Sequence, residues 1–364
     1  MMNTPLHYMS LALELAERGR LTVSPNPMVG CVIVKNGQII GQGWHKIPGQ
    51  AHAEVYALAE AGIAAKGATV YVSLEPCCHF GRTPPCTEAL IQAGVSAVYV
   101  ACLDPNPLVA GKGVQALLQA GIAVTVGLHE AETRALNKIF FHYIQTKRPY
   151  VISKWAMSLD GKTITHPEDE PAISSMASLR HSHGARQAVD AIVVGARTAI
   201  HDNPQLTVRH IETVKHPLRF VIAGQTPLPL DLRLFAGNLP AKTLIAAPKN
   251  LNPDWLEAAR NQGIEIWECE HQDGKIHLQD LLQQMGAAGI SSLLVEGGQS
   301  LHASFFQEQL VNQIQVYLAP KIIGQLASKL HLPSLSLQTL GEDVFFETSL
   351  ETQYLKSIEM DSTS

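Results

Sequence analysis

Apolar positions in the first 150 residues alternate between a spacing of three or four and a spacing of two. Leu6, Met9, Leu13 and Ala16 line one side of a helix opened by Thr4-Pro5, a capping hydroxyl followed by proline at the first helical position. Residues 29–34 and 38–44 read as strands joined by Asn36-Gly37, a strong two-residue hairpin signal. Helix-like 52–62, strand-like 68–74, helix-like 86–93, strand-like 97–102, helix-like 113–120 and strand-like 122–126 follow. A polar helix over about 129–145 ends near Lys147-Arg148-Pro149. That alternation predicts a three-layer α/β domain.

A second α/β series begins at 150–157. Its clearest strands are 190–195, 218–223, 243–247, 264–269, 292–296 and 314–318, with helical segments near 175–188, 253–262, 277–288 and 300–309. The best boundary lies at 146–149, giving domains over 1–147 and 148–364. The Pro-rich stretch 226–230 reads as a surface loop, and residues 361–364 are expected to fray. Gly111-Lys112-Gly113 lacks the spacing of a nucleotide loop and reads as a helix entry.

Composition narrows the class. A length of 364 residues, 46% of them hydrophobic and 16% charged, suits a folded chain of two or three domains. A net charge of −5 offers no broad basic face, which argues against a nucleic-acid partner but allows local phosphate sites. No apolar run approaches the roughly 20 residues that span a bilayer. Glu14, Glu17 and Arg18 interrupt the N-terminal stretch, so it does not read as a signal peptide. The expectation is a cytoplasmic protein with no membrane partner. Cys77, Cys78 and Cys86 cluster, while Cys31, Cys102 and Cys269 stand alone. Such clustering in an intracellular enzyme points to a metal or to catalysis, and Cys31 and Cys102 in apolar strands read as core thiols.

The chemistry concentrates in His52-Ala53-Glu54 and in Pro76-Cys77 through Pro85-Cys86. A lone H-x-E is most often an ordinary helix start, and two cysteines in one loop are often a structural pair. Together they form the zinc-deaminase pattern H-x-E…P-C…C. His52, Cys77 and Cys86 give one imidazole and two thiolates for Zn²⁺, with a fourth position for water; Cys78 and His79 are alternative fourth ligands. Both helix N-termini would point into this site and favour thiolates. Zinc with two thiolates is formally neutral, so its water is less acidified and a nearby base matters more. Glu54 can take that water's proton and pass it to a ring nitrogen and departing ammonia.

These motifs, with Ser24-Pro25-Asn26-Pro27-Met28-Val29-Gly30, Glu75-Pro76-Cys77, Gly81-Arg82-Thr83-Pro84-Pro85-Cys86 and Asp104-Pro105-Asn106-Pro107, resemble the bifunctional deaminase/reductase family of riboflavin biosynthesis. The eight-residue gap between the two cysteines matches that family. Further matches are Ser158-Leu159-Asp160-Gly161-Lys162, 190–195, 202–209 and Val295-Glu296-Gly297-Gly298. The resemblance implies a cytidine-deaminase-like first domain and a dihydrofolate-reductase-like second domain. It implies Zn²⁺ and NADPH as cofactors, a phosphoribosylated diaminopyrimidinone as substrate, and a homo-oligomer. It makes Asn26, Lys154, Glu170, Arg186, Leu206, Arg209 and Glu296 substrate contacts. It puts Ala156, Ala172, Thr198, Asp202, Gly224 and the run Gly298, Gln299, Ser300, Leu301, His302, Ala303 and Ser304 on the cofactor.

The residues of the second half say less by themselves. Gly297-Gly298 lies between a strand and a helix opened by Ser300, where backbone N–H groups could meet a phosphate, although such a pair is often mere turn chemistry. No G-x-G-x-x-G follows the early strands. Solitary arginines are usually solvated, Lys154 would suit an edge strand, and Asp202 before Asn203-Pro204 also fits a turn. Where the family shows Ser, then Trp two residues on, this chain has Glu170 and Ala172; where it shows Asp-Ser, the chain has Ala223-Gly224. These departures support a second expectation: an active deaminase carrying a weakened or structural reductase-like domain.

Overall fold

The computed structural model of the chain describes residues 4–80, 84–158, 161–163, 174–224, 227–249, 251–272, 274–319 and 336–349. Glu170, Ala172 and the 361–364 terminus lie outside them. The chain divides into two units, Met1–Lys147 and Arg148–Ser364.

The first unit contains α1 (Pro5–Glu17), β1 (Gly30–Lys35), β2 (Gln38–Trp44), α2 (Ala53–Ala61), β3 (Thr69–Val72), α3 (Cys86–Ala93), β4 (Ala97–Val100), α4 (Lys112–Gln119), β5 (Ala123–Val126), α5 (Glu130–Leu136) and α6 (Lys138–Thr146). The sheet order is β2-β1-β3-β4-β5, with β1 antiparallel to both neighbours and the rest parallel. Thr4 caps α1, and Asn36 (φ 52°) with Gly37 (φ 77°) turns the hairpin. Alternate strand residues face opposite layers. Cys31, Ile33, Val70, Val98 and Val100 pack with Ala53, Ala57, Leu90 and Leu117, while Val32, Val34 and Tyr71 meet Tyr8, Met9 and Leu15 of α1. Helix α2 lies almost on the sheet backbone, because a Cβ on Gly43 would sit 2.3 Å from the Ala53 carbonyl. That close seat sets the height of the α2 N-terminus above the sheet.

The single polar helix expected over 129–145 is two helices. Asn137 breaks it and uses its side chain to hold both Met28 N–H (2.8 Å) and Met28 C=O (2.9 Å). Periodicity could not show this, because the partner is 109 residues away.

The second unit contains β6 (Tyr150–Ser158), α7 (Met176–Gln187), β7 (Ala191–Gly195), α8 (Ala196–Asp202), β8 (Leu218–Ile222), β9 (Thr243–Pro248), α9 (Pro253–Asn261), β10 (Glu265–Cys269), the ribbon β11 (His271–Gln272) and β12 (Lys275–Ile276), α10 (Leu278–Ala287), β13 (Ser292–Val295), α11 (Gln299–Gln307), β14 (Gln313–Ala319), β15 (Ser336–Leu340) and β16 (Asp343–Ser349). Its sheet runs β10-β9-β8-β7-β13-β6-β14-β16-β15, parallel through β14 and closed at one edge by the antiparallel β15–β16 hairpin. Continuous apolar runs such as Ala191–Val194 fit strands buried on both faces. Leu281, Met285, Leu301 and Phe305 cover one face of this core. The described part of the 226–230 stretch, 227–230, is not purely a surface loop: Leu228 is buried, and its carbonyl accepts Trp255 Nε1–H at 2.8 Å. Among the described residues no helix is long and apolar enough to cross a membrane.

Candidate active sites

In the first unit, His52 caps α2, Glu54 lies in its first turn, Cys77 follows β3, and Cys86 begins α3. Residues 34 apart thereby meet: His52 Nδ1 lies 3.2 Å from Cys86 Sγ and 3.5 Å from Cys77 Sγ. The three ligand atoms all lie within 4.8 Å of one another. A tetrahedral zinc, with bonds of about 2.05 Å to nitrogen and 2.3 Å to sulfur, would separate such atoms by about 3.6 Å. The donor set therefore fits zinc in both chemistry and spacing. Cys78 and His79 are not in the group; the Cys78 thiol is directed to the Leu108 carbonyl at 3.9 Å.

Electrostatics favour a cation. The Cys86 contact and the His52 ring hold the Cys77 thiol down to about 4. The same contact and burial push Cys86 up, so without a metal one proton stays between the two sulfurs. Glu54 is buried, and burial raises its carboxyl above the usual range against the pull of His52. Its Oε2 is buried with no hydrogen-bond partner, beside the three ligands. A carboxylate oxygen left in this state is suited to a water or a substrate proton.

Neighbouring residues complete this site. Asn26, in the Pro-rich loop that Asn137 anchors, meets His45 Nε2 through Nδ2 at 3.0 Å. The His45 ring lies edge-on to His52, 5.2 Å between centroids, and burial lowers its pKa. Sequence reading missed His45; its only signal is a histidine directly after a strand end. Glu75 is buried and accepts N–H groups of Asp104 (3.2 Å), Gly111 (2.9 Å) and Val114 (3.1 Å), tying the 104–114 segment to the cysteine loop. Gly113 enters α4 as expected, and a Cβ there would sit 2.1 Å from the Pro76 carbonyl. Gly113→Ala is thus expected to displace Pro76-Cys77 and to weaken the first unit by about 1–3 kcal/mol. Zinc retention against a chelator, measured beside thermal melting, checks this; unchanged retention would contradict it.

In the second unit, Lys154, Arg186 and Glu296 converge. Arg186 grips the Glu296 carboxylate with Nε (2.9 Å) and Nη2 (2.7 Å), and Lys154 Nζ lies 3.0 Å from Oε1. Lys154 also donates to Ser182 Oγ at 3.1 Å, and Arg186 Nη1 to the Thr207 carbonyl at 3.1 Å. Burial alone would raise the Glu296 pKa, but the two cations outweigh it and hold it well below the usual range. Glu296 is therefore the counter-ion of this group. Leu206 is buried at φ 52°, and Arg209 is bound through Nη1 to Gln205 Oε1 (3.2 Å) and Thr207 Oγ1 (2.8 Å).

Of the residues expected on the cofactor, Gly298 through Ser304 open α11 and Thr198 meets its N-terminus. Gly298 caps that helix with no side-chain bond, and its N–H donates to Thr198 Oγ1 at 2.9 Å. His302 is bonded through Nδ1 to Ser153 Oγ at 2.7 Å, while its Nε2 is buried and unpartnered. The Gln299 and Ser300 N–H groups at the start of this helix and the orphaned His302 ring nitrogen suit a phosphorylated cofactor. Gln299, Ser300 and Ala303 are exposed and Ser304 half-buried on the same helix, but the Leu301 side chain packs into the core and its N–H donates to the Gly298 carbonyl at 2.9 Å, so Leu301 offers a ligand no donor. Ala156 pairs with Tyr317, Gly224 follows β8, and Asp202 is exposed and paired with His201 at 2.7 Å.

The sequence profile of the cytidine and deoxycytidylate deaminase zinc-binding region matches residues 2–102, and that of the RibD C-terminal domain matches 149–357. The riboflavin biosynthesis protein RibD of Actinobacillus pleuropneumoniae is 42% identical over 341 residues, 94% of this chain and 90% of that protein. The Escherichia coli RibD is 42% identical over 342 residues, 90% of this chain and 91% of that one. Among solved structures, an Acinetobacter baumannii RibD superposes with a TM-score of 0.84 at 36% identity, covering 96% of this chain and all (100%) of that one. A Thermotoga maritima diaminohydroxyphosphoribosylaminopyrimidine deaminase/5-amino-6-(5-phosphoribosylamino)uracil reductase gives 0.79 at 32%, covering 94% and 97%. With both halves matched in order and nearly end to end, this chain belongs to the RibD family of riboflavin-biosynthesis proteins.

Proposed function

We propose that residues 1–147 deaminate 2,5-diamino-6-(5-phosphoribosylamino)pyrimidin-4(3H)-one and that residues 148–364 reduce the product's ribosyl group to ribityl. The chain is a riboflavin-biosynthesis enzyme with deaminase and reductase activities that uses Zn²⁺ and NADPH. His52, Cys77 and Cys86 hold the zinc, which when bound supplies Lewis-acid activation of water. Glu54 accepts the proton from the attacking water and returns protons to the ring nitrogen and the leaving ammonia, so C–NH₂ and water become C=O and NH₃. Asn26 and His45 orient the pyrimidine beside the ligands. The observation that carries this reading is the buried, unpartnered Glu54 oxygen next to three converging zinc donors.

In the second half NADPH supplies hydride. The chain's part is to bind and orient. Arg209 meets the substrate phosphate, Lys154 and Arg186 form the cationic floor with Glu296 balancing them, and the α11 N-terminus with Thr198 receives the cofactor phosphate. The expectation of a weakened reductase is not favoured, because the RibD C-terminal profile matches 149–357 and relatives match both halves. A cytoplasmic homo-oligomer acting on this small molecule, apart from nucleic acid and membrane, is the setting that fits the acidic composition.

One sample tests both halves: metal content, ammonia release and NADPH consumption on the diamino substrate. About one zinc per chain and one NADPH oxidised per ammonia are expected. Ammonia without NADPH oxidation would restore the structural-reductase reading.

A further inference from the structure

The segment 205–209 has no regular secondary structure, yet side chains from outside it hold its backbone at four of its polar groups. Arg219 Nη1 donates to the Gln205 carbonyl at 3.0 Å and Arg186 Nη1 to the Thr207 carbonyl at 3.1 Å. The next two peptides are held from the donor side by imidazoles. Val208 N–H donates to His216 Nδ1 at 3.1 Å, and Arg209 N–H to His183 Nδ1 at 2.8 Å. The backbone needs such support, because Leu206 and His210 are left-handed at φ 52° and 63°. Non-glycine residues in that region cost about 1–3 kcal/mol each and persist only where surroundings fix them.

An imidazole accepts through Nδ1 only when that nitrogen carries no proton, so both rings must be neutral. Their surroundings keep them so. Burial, then the charges of Arg186 and Arg209, hold His183 down to about 3, with His210 adding to this and Glu296 opposing it. Burial and Arg219 lower His216. The Arg209 guanidinium in turn leans on Gln205 and Thr207, two residues of the clamped segment. Fixing the Val208-Arg209 peptides therefore fixes where that guanidinium points.

We propose that His183 and His216 are positioning residues of the reductase half, neutral imidazoles that lock the 205–209 backbone and aim Arg209 at the phosphorylated substrate. This rests on Arg209 being a substrate contact. His183 shares one helix face with Arg186, three residues on, so α7 supplies both a charge of the site and the acceptor that shapes it.

The test uses the full chain with His183→Ala, His183→Asn, His216→Ala and Arg209→Ala. It reads KM for the deaminated pyrimidine, KM for NADPH, and the Kd of ribose 5-phosphate by calorimetry without NADPH. His183→Ala is expected to raise the substrate KM and the ribose 5-phosphate Kd on the order of tenfold, leaving KM for NADPH and ammonia release unchanged. His183→Asn, whose Oδ1 takes the place of Nδ1, restores both values; His216→Ala acts in the same direction but less. In the Arg209→Ala background, His183→Ala adds nothing. Unchanged KM and Kd in His183→Ala, with Arg209→Ala still raising them, overturn the clamp and leave the Arg209 reading standing. Unchanged values in Arg209→Ala overturn both. Should His183→Ala fail to fold, His216→Ala at its partly exposed site probes the same clamp, and unchanged values there overturn the proposal.

Discussion

Glu54→Gln is expected to keep its zinc and to release ammonia about 10²–10⁴-fold more slowly. The substitution preserves size and hydrogen-bonding reach while removing the ability to carry a proton. Glu54 is not among the three converging ligand atoms, so the metal should stay. Burial that already favours the neutral carboxyl also favours the neutral amide, so folding should survive. Metal content and ammonia release on the same purified sample check this, and NADPH oxidation with supplied deaminated substrate should be unaffected. A zinc-loaded variant at full deaminase rate would remove Glu54 from the chemistry.

Glu296→Gln is expected to cost the second unit about 3–5 kcal/mol, because it leaves Lys154 and Arg186 buried without their counter-ion. Denaturant unfolding followed by a reductase-domain probe measures it, with ammonia release as the internal control for the first unit. The sign of the pH dependence follows from the depressed Glu296 pKa. Its contribution is present above the ordinary carboxylate range and is lost only as pH falls through the lower folded value. Neutral buffers therefore show the full loss in the variant, and strongly acid buffers narrow the gap to the parent. A variant with parent-like stability but a raised substrate KM would make Glu296 a ligand contact and end its role as counter-ion.

The two halves differed in how much of each site could be read. The zinc donors and Glu54 carry their chemistry in residue type and order, so H-x-E…P-C…C could be read before any coordinates. His45 could not be singled out, because nothing local distinguishes this buried histidine after a strand from any other histidine. Glu75 looked like part of a motif. Its role as acceptor for three N–H groups depends on a segment some 30 to 40 residues on. In the second half, solitary Arg186 and Glu296 gave no bottom-up signal, and Lys154 gave only that of a lysine in an apolar strand, which suited an edge strand although β6 lies between β13 and β14. They meet only because β6, α7 and the end of β13 are brought together, with Arg186 and Glu296 separated by 110 residues.

Elements with strong local signals were legible: the Thr4-capped α1, the Asn36-Gly37 hairpin, the apolar strands β7 and β9, and the α4 entry at Gly111. The break at Asn137, the α8 turn after β7, the burial of Leu228 and the β15–β16 edge hairpin were not. Asn137 illustrates the difference: the helical pattern runs through it, and its two bonds to Met28 favour the interruption. The sequence alone determined the order of the strongly patterned elements, a boundary at 146–149 and the identity of the metal chemistry, because periodicity and donor type are local properties. Tertiary structure alone decided which charges became counter-ions, which histidines stay neutral and where Arg209 points, because burial and partner distance do not exist until the chain has closed.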